Sequence, residues 1–140
     1  MRFIVPLFVL SVFVLGCGDS RLAEVSGTVK LDGQLIEEGS IQFIPVEGNT
    51  GAGSGDVIKD GKYHIARERG VAVGKNRVEF RAFKESKRMV QDPTGKPGTK
   101  TFERLPAFPP TFNDASTIIR DIQSGSQVID FDFRVGETPR

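Results

Sequence analysis

The sequence has no tryptophan, one cysteine, one histidine and one tyrosine in 140 residues. With Cys17 alone, no disulfide can form within the chain, and zinc, which favours clusters of histidine and cysteine, has no ligand set to draw on. A hydrolase needs a positioned base, nucleophile or metal, and His64 is the single histidine on offer. The absence of tryptophan removes a ring well suited to sugar-binding platforms. Charge of neither sign dominates, with 19 Lys and Arg against 18 Asp and Glu, so nothing indicates the concentrated basic surface that nucleic acid requires. No apolar run reaches the roughly 20 residues of a spanning helix. No window holds a sustained helical stripe.

What is present begins at the N-terminus. Arg2 supplies a positive charge, Phe3 to Leu15 an apolar stretch interrupted by Pro6 and Ser11, and Gly16 a small residue just before Cys17. This is the pattern of a processed leader. The order Val14-Leu15-Gly16-Cys17-Gly18-Asp19-Ser20 resembles the lipobox of bacterial lipoproteins, in which the cysteine thiol is diacylated and becomes the first mature residue. Leu15 is bulkier than the residue usual at its position. An ordinary signal peptide that leaves a free thiol, or an uncleaved anchor, are the alternative readings of the same segment. The lipobox reading makes residues 1–16 a lipoprotein signal peptide and residues 17–23 an acylated cysteine with a short polar tether, which reaches about 20 Å when fully extended. It implies a bacterial cell-envelope location with membrane attachment through lipid on Cys17, because each buried methylene contributes about 0.8 kcal/mol and two chains give stable attachment.

The remaining 124 residues suffice for one domain with its own core. Eight of the eleven phenylalanines fall in this part, which favours a packed interior. Period-two alternation is the clearest pattern. Val25, Gly27, Val29 and Leu31 share one face against Glu24, Ser26, Thr28 and Lys30, and Asp32-Gly33 signals a tight turn. Ile41 and Phe43 mark a second strand over Ser40 to Val46. Gly55 to Lys59 and Lys62 to Ala66, joined by Asp60-Gly61, read as a hairpin. Lys75 to Lys84 alternates Val78, Phe80 and Ala82 against Arg77, Glu79 and Arg81, as a strand with one wet face. A strand near Thr117 to Asp121 precedes the final block, where Ile129, Phe131, Phe133 and Val135 face inward and Asp130, Asp132 and Arg134 outward. The pattern predicts an all-β fold, a single antiparallel β-sandwich of about seven strands over residues 24–136, followed by a tail at 137–140.

Residues 85–116 interrupt the alternation with five prolines, Pro93, Pro97, Pro106, Pro109 and Pro110. They are expected to form a long proline-rich loop without regular structure, a feature that is often functional. Over Lys84 to Arg104, Lys84, Lys87, Arg88, Lys96, Lys100 and Arg104 outnumber Glu85, Asp92 and Glu103, making these six the candidate contacts to a partner or to anionic lipid. Phe102, Leu105, Phe108 and Phe112 are expected to pin the later part onto the sandwich.

The blocks Val25-Ser26-Gly27-Thr28-Val29, Leu31-Asp32-Gly33, Gly39-Ser40-Ile41-Gln42-Phe43-Ile44-Pro45 and Asp60-Gly61-Lys62-Tyr63 resemble the carboxypeptidase regulatory-like, or transthyretin-like, β-sandwich family, which is immunoglobulin-like in its layering. The stretch from Pro110 to Thr117, followed by Ile129 to Phe133, is similar to small lipoproteins abundant in planctomycete bacteria. The resemblance spans most of residues 24–136 and rests on turns and core positions, so it speaks for fold and hardly for activity. Transthyretin-like enzymes that hydrolyse 5-hydroxyisourate carry several histidines and a C-terminal Tyr-Arg-Gly-Ser motif, whereas this chain ends Glu137-Thr138-Pro139-Arg140.

Other polar groups have plainer readings. His64 falls on the strand face opposite Tyr63 and Ile65. Asp130 and Asp132 point one way, but two carboxylates are too few for calcium, and Arg134 beside them suits a solvated surface. Asn113-Asp114 and Ser116-Thr117 suit turn-closing hydrogen bonds. Gly51, Gly53 and Gly55 lack the following helix that a phosphate loop needs. The sequence is thus expected to encode a non-enzymatic, lipid-anchored envelope module that meets a protein or envelope polymer, with no catalytic residue, metal or cofactor beyond the covalent lipid. A small-molecule or glycan-binding module is the second reading, and an envelope hydrolase using His64 the third.

Overall fold

The computed structural model describes residues 21–134 and 136. The expected signal segment 1–16, Cys17, Val135 and the tail 137–140 lie outside the described residues. Among the described residues, eleven strands form with almost no helix, seven of them four residues or longer, hydrogen-bonded into a curled, mostly antiparallel half-barrel.

Strand β1 (Leu22–Leu31) organises one side. Val25 and Val29 are fully buried, and their face is the one predicted by alternation. Its C-terminal end turns through Asp32-Gly33, both at positive φ, into β2 (Gln34–Leu35), as two-residue hairpin loops of the primed type require. β3 (Glu38–Pro45) pairs with β4 (Ser54–Lys59), which turns through Asp60-Gly61 into β5 (Lys62–Ile65) against β1. A short 3-10 turn (Arg67–Arg69) leads to β6 (Val71–Ala72), which pairs with the start of β1. β1 therefore starts inside the segment read as tether, and Ala23 is fully buried. The two-residue β6 that holds Leu22 and Ala23 is too short to leave an alternating signature.

The longest element is β7 (Gly74–Gln91), paired with β3 over residues 76–82 and then with β8 (Lys100–Pro106) over residues 83–91. A 3-10 turn (Pro110–Phe112) precedes β9 (Ile119–Ile122), which joins the beginning of β7. The chain ends its described part in β10 (Ser126–Val128) and β11 (Phe131–Phe133), both parallel to β1. Two features correct the expected final strand. It is broken at Ile129-Asp130, and it runs parallel to its neighbour. The break coincides with Gly27, where a Cβ would overlap the Ile129 carbonyl oxygen. The Asp130 carboxylate there takes the Thr28 N–H at 2.7 Å and the Thr28 hydroxyl at 2.8 Å, replacing a ladder carbonyl.

The region 85–116 is the larger correction, since most of it is regular. The prolines sit at element boundaries: Pro93 and Pro97 in the β7–β8 turn, Pro106 at the end of β8, and Pro109 and Pro110 at the start of the 3-10 turn. No proline falls within residues 85–91 or 99–105, so both strands keep their ladder donors.

Six phenylalanines build the core, Phe43, Phe80, Phe108, Phe112, Phe131 and Phe133. Phe80 meets Phe131 and Phe133 edge-on at 4.8 and 5.1 Å between ring centroids, and Phe112 meets Phe133 at 4.9 Å, distances at which aromatic pairs contribute beyond their buried area. Phe108 and Phe112 pin their segment as expected. Phe102 and Leu105 do not, being exposed on β8. Glu79 departs from its wet-face assignment too: it is buried, held by Arg77 at 2.8 Å and Arg81 at 3.3 Å.

Candidate functional site

Beyond Ala82, β7 leaves β3 and continues with β8 alone, so residues 83–106 form a two-stranded arm. Opposed residues share a face. One face carries Phe83, Met89 and Phe102 together with Glu85 and Arg104; the other carries Lys84, Leu105 and Glu103. A bulge between Glu85 and Met89 places three residues of β7 opposite Glu103. Ser86 and Arg88 from this bulge both reach the Glu103 carboxylate, at 3.3 and 3.8 Å.

The arm gathers all six basic residues singled out from the sequence. Lys84 lies at its base, Arg104 opposite Glu85, Lys87 and Arg88 in the bulge, Lys100 near the tip and Lys96 in the connecting turn, every one exposed. What sequence reasoning missed is the apolar half. Phe83 is 56% exposed, Met89 56%, Phe102 45% and Leu105 40%, although Arg104 stacks its guanidinium 5.3 Å from the Phe83 ring centre. The order Thr101-Phe102-Glu103-Arg104-Leu105 gave no period-two signal, because Phe102 and Leu105 fall on opposite faces of β8. At the turn, Asp92 accepts hydrogen bonds from the Thr94 N–H and hydroxyl. The N–H, then the hydroxyl, draws its carboxyl below the ordinary carboxylate range.

A concavity of about 710 Å³ lies open on the outer face of β1, β5 and β4, between Val57 and Val128. Ser26 opposes His64 and Thr28 opposes Lys62 across the β1–β5 pair, which puts these four side chains on one surface. β4 and β5 pair only at Lys59 and Lys62 beside their turn, and farther from it Asp56 Oδ2 accepts the His64 N–H at 3.1 Å. His64 is exposed, as its strand position predicts, with its Nε2 2.8 Å from Glu24 Oε1. That hydrogen bond, followed by one from Ser126, lowers the Glu24 carboxyl. Thr28 lowers the Asp130 carboxyl, first through its hydroxyl and then through its N–H.

Among the described residues, no group of three His, Cys, Asp or Glu is placed to hold a metal ion. Asp130 is committed to Thr28, while Asp132 is registered with Lys30. Ser116 is buried, donating to the Val78 carbonyl at 2.5 Å and accepting from the Ile118 N–H at 3.3 Å. Asn113 closes its own turn through the Asp114 N–H, and Asp114 pairs with Arg81. Gly51 to Gly55 lead into β4 instead of a helix.

No protein-family model and no curated protein matches this chain. Among solved structures, a 9R-lipoxygenase from Cyanothece PCC8801 aligns with 81% of it at 11% identity and a TM-score of 0.34. The chain spans 16% of that enzyme's length. A likeness of this order carries no argument about fold or activity.

Proposed function

We propose that this protein is a non-enzymatic, lipid-anchored β-sandwich of the transthyretin-like type, held at the bacterial cell envelope through Cys17 and serving as an interaction module. The observation that carries the interaction role is the β7–β8 arm. It holds Phe83, Met89 and Phe102 out of the core, with Lys100 and Arg104 on their face, Lys87 and Arg88 in the bulge, Lys96 in the turn and Lys84 on the opposite face. Burying one such apolar side chain contributes roughly 1.5–3 kcal/mol, so leaving several exposed on one ribbon suits a surface that is covered when the protein works. The Cys17 pattern supports the anchor, and a tether shortened by the entry of Leu22 into β1 keeps the domain close to the bilayer.

Chemical crosslinking on intact cells tests this reading. Wild-type protein is expected to capture an envelope component through the arm, and a variant with Phe83→Ser, Met89→Ser and Phe102→Ser to lose that product at unchanged abundance. Equal crosslinking by both would sink the reading. A small-molecule or glycan module built on the concavity beside His64 is the alternative, supported by its apolar rim of Val57 and Val128. Loss of binding to a glycan panel on His64→Ala, with the arm variant unaffected, would favour it.

A further inference from the structure

We propose that the β7–β8 arm is a second membrane contact, lying on an anionic phospholipid surface with Phe83, Met89 and Phe102 toward the acyl chains and its basic side chains on the headgroup phosphates. The inference rests on the envelope reading above for the nearness of a membrane, and on the arm itself for the chemistry. An isolated two-stranded ribbon is marginal in water, and this one also exposes its largest apolar groups. Something covers them. A second copy of the chain would set like charge on like charge, since residues 84–104 carry six basic against three acidic side chains.

Two of those three acids are already engaged within the arm, Asp92 with Thr94 and Glu103 with Ser86 and Arg88. Only the Arg88–Glu103 pair cancels charge, which leaves five basic against two acidic side chains, so the outward field is positive and an anionic partner complements it. Long lysine and arginine stems beside apolar side chains suit an interface that is greasy below and charged above, because the stems lie along apolar surface while their heads stay with polar groups. A flat anionic bilayer meets both demands without needing a matching contour.

The absence of tryptophan makes the test direct. The full chain carrying Met89→Trp is reconstituted in vesicles containing phosphatidylglycerol, or phosphatidylcholine alone, with Val57→Trp as the control on the outer sheet face. The expected result is blue-shifted Met89→Trp emission, quenched by brominated acyl chains, on anionic vesicles at low salt only, with no shift for Val57→Trp. Phe102→Trp serves as the second reporter if Met89→Trp fails to fold. In a Cys17→Ala background, the triple variant Lys87→Ala, Lys96→Ala, Lys100→Ala is expected to partition onto anionic vesicles about a hundredfold more weakly. Emission unchanged on anionic vesicles, shifts equal on neutral ones, or shifts equal at Val57→Trp would each overturn the proposal. So would a shift on adding an envelope protein fraction but none with anionic lipid, which would assign the arm to a protein partner. Failure of the anchor reading is read separately, as an unmodified Cys17 thiol in the mass of the same preparation.

Discussion

Gly27 shows how tightly single residues fix the closing of this fold. The Ile129 carbonyl that would collide with a Cβ at Gly27 also accepts the Tyr63 hydroxyl at 2.7 Å, while the Ile129 N–H donates to the Ser26 carbonyl at 2.8 Å. Held from two sides, that backbone cannot retreat. Gly27→Ala is therefore expected to cost about 1–3 kcal/mol, the usual range for overpacking, and Tyr63→Phe about 1 kcal/mol for its hydrogen bond, both read from urea unfolding midpoints. Burial keeps the Tyr63 hydroxyl protonated well above its ordinary range. Asp130 supplies a prediction in pH. Its carboxyl is lowered in the folded state by Thr28, so its contribution to stability is full above the ordinary carboxylate range and fades as pH falls through the folded value. Thr28→Val removes the larger of the two bonds and is expected to raise the Asp130 titration midpoint toward the ordinary range, as followed by carboxyl NMR shifts. An unmoved midpoint would contradict the assignment of that cause.

At the scale of elements, β7 divides into two parts with different stability. Residues 76–82 pair with β3 and bury Val78, Phe80 and Ala82, whereas residues 83–91 pair with β8 alone. Amide hydrogen exchange is expected to be slow in the first part and fast in the second, because opening the arm exposes little that is buried. Replacing residues 86–103 by an Asn-Gly turn is expected to change global stability by less than about 0.5 kcal/mol. Uniform protection along β7, or a large loss from the deletion, would show that the arm belongs to the core. The contrast also explains what alternation could reveal. Strands with one buried face, as at Val25 and Val29 or Val78 to Ala82, leave a period-two trace; the arm, wet on both faces, leaves a weak one. Bridges of two or three residues, such as β6 and β10, are set by what they meet across the fold, which local pattern does not encode. The outer concavity was legible only in part. The exposure of His64 followed from its strand parity, while its partner Glu24 lies 40 residues away in sequence.

The whole molecule is a phenylalanine-rich core with an arm that stays outside it, and the proposed lipid on Cys17 would tie both to a bilayer. β1 starts at Leu22, paired with β6 at the end of the fold where β7 begins, and the arm leaves from the other end of β7. Lipid on Cys17 is the claim on which the location of everything else depends. Intact mass and N-terminal sequencing of the protein extracted from bacterial membranes test it most directly. The account predicts a mature chain beginning at Cys17 with added acyl mass, and a Cys17→Ala variant without that mass and released from the membrane fraction by high salt. A chain that keeps residues 1–16, or that carries a free thiol at Cys17 while remaining in the membrane, would contradict it.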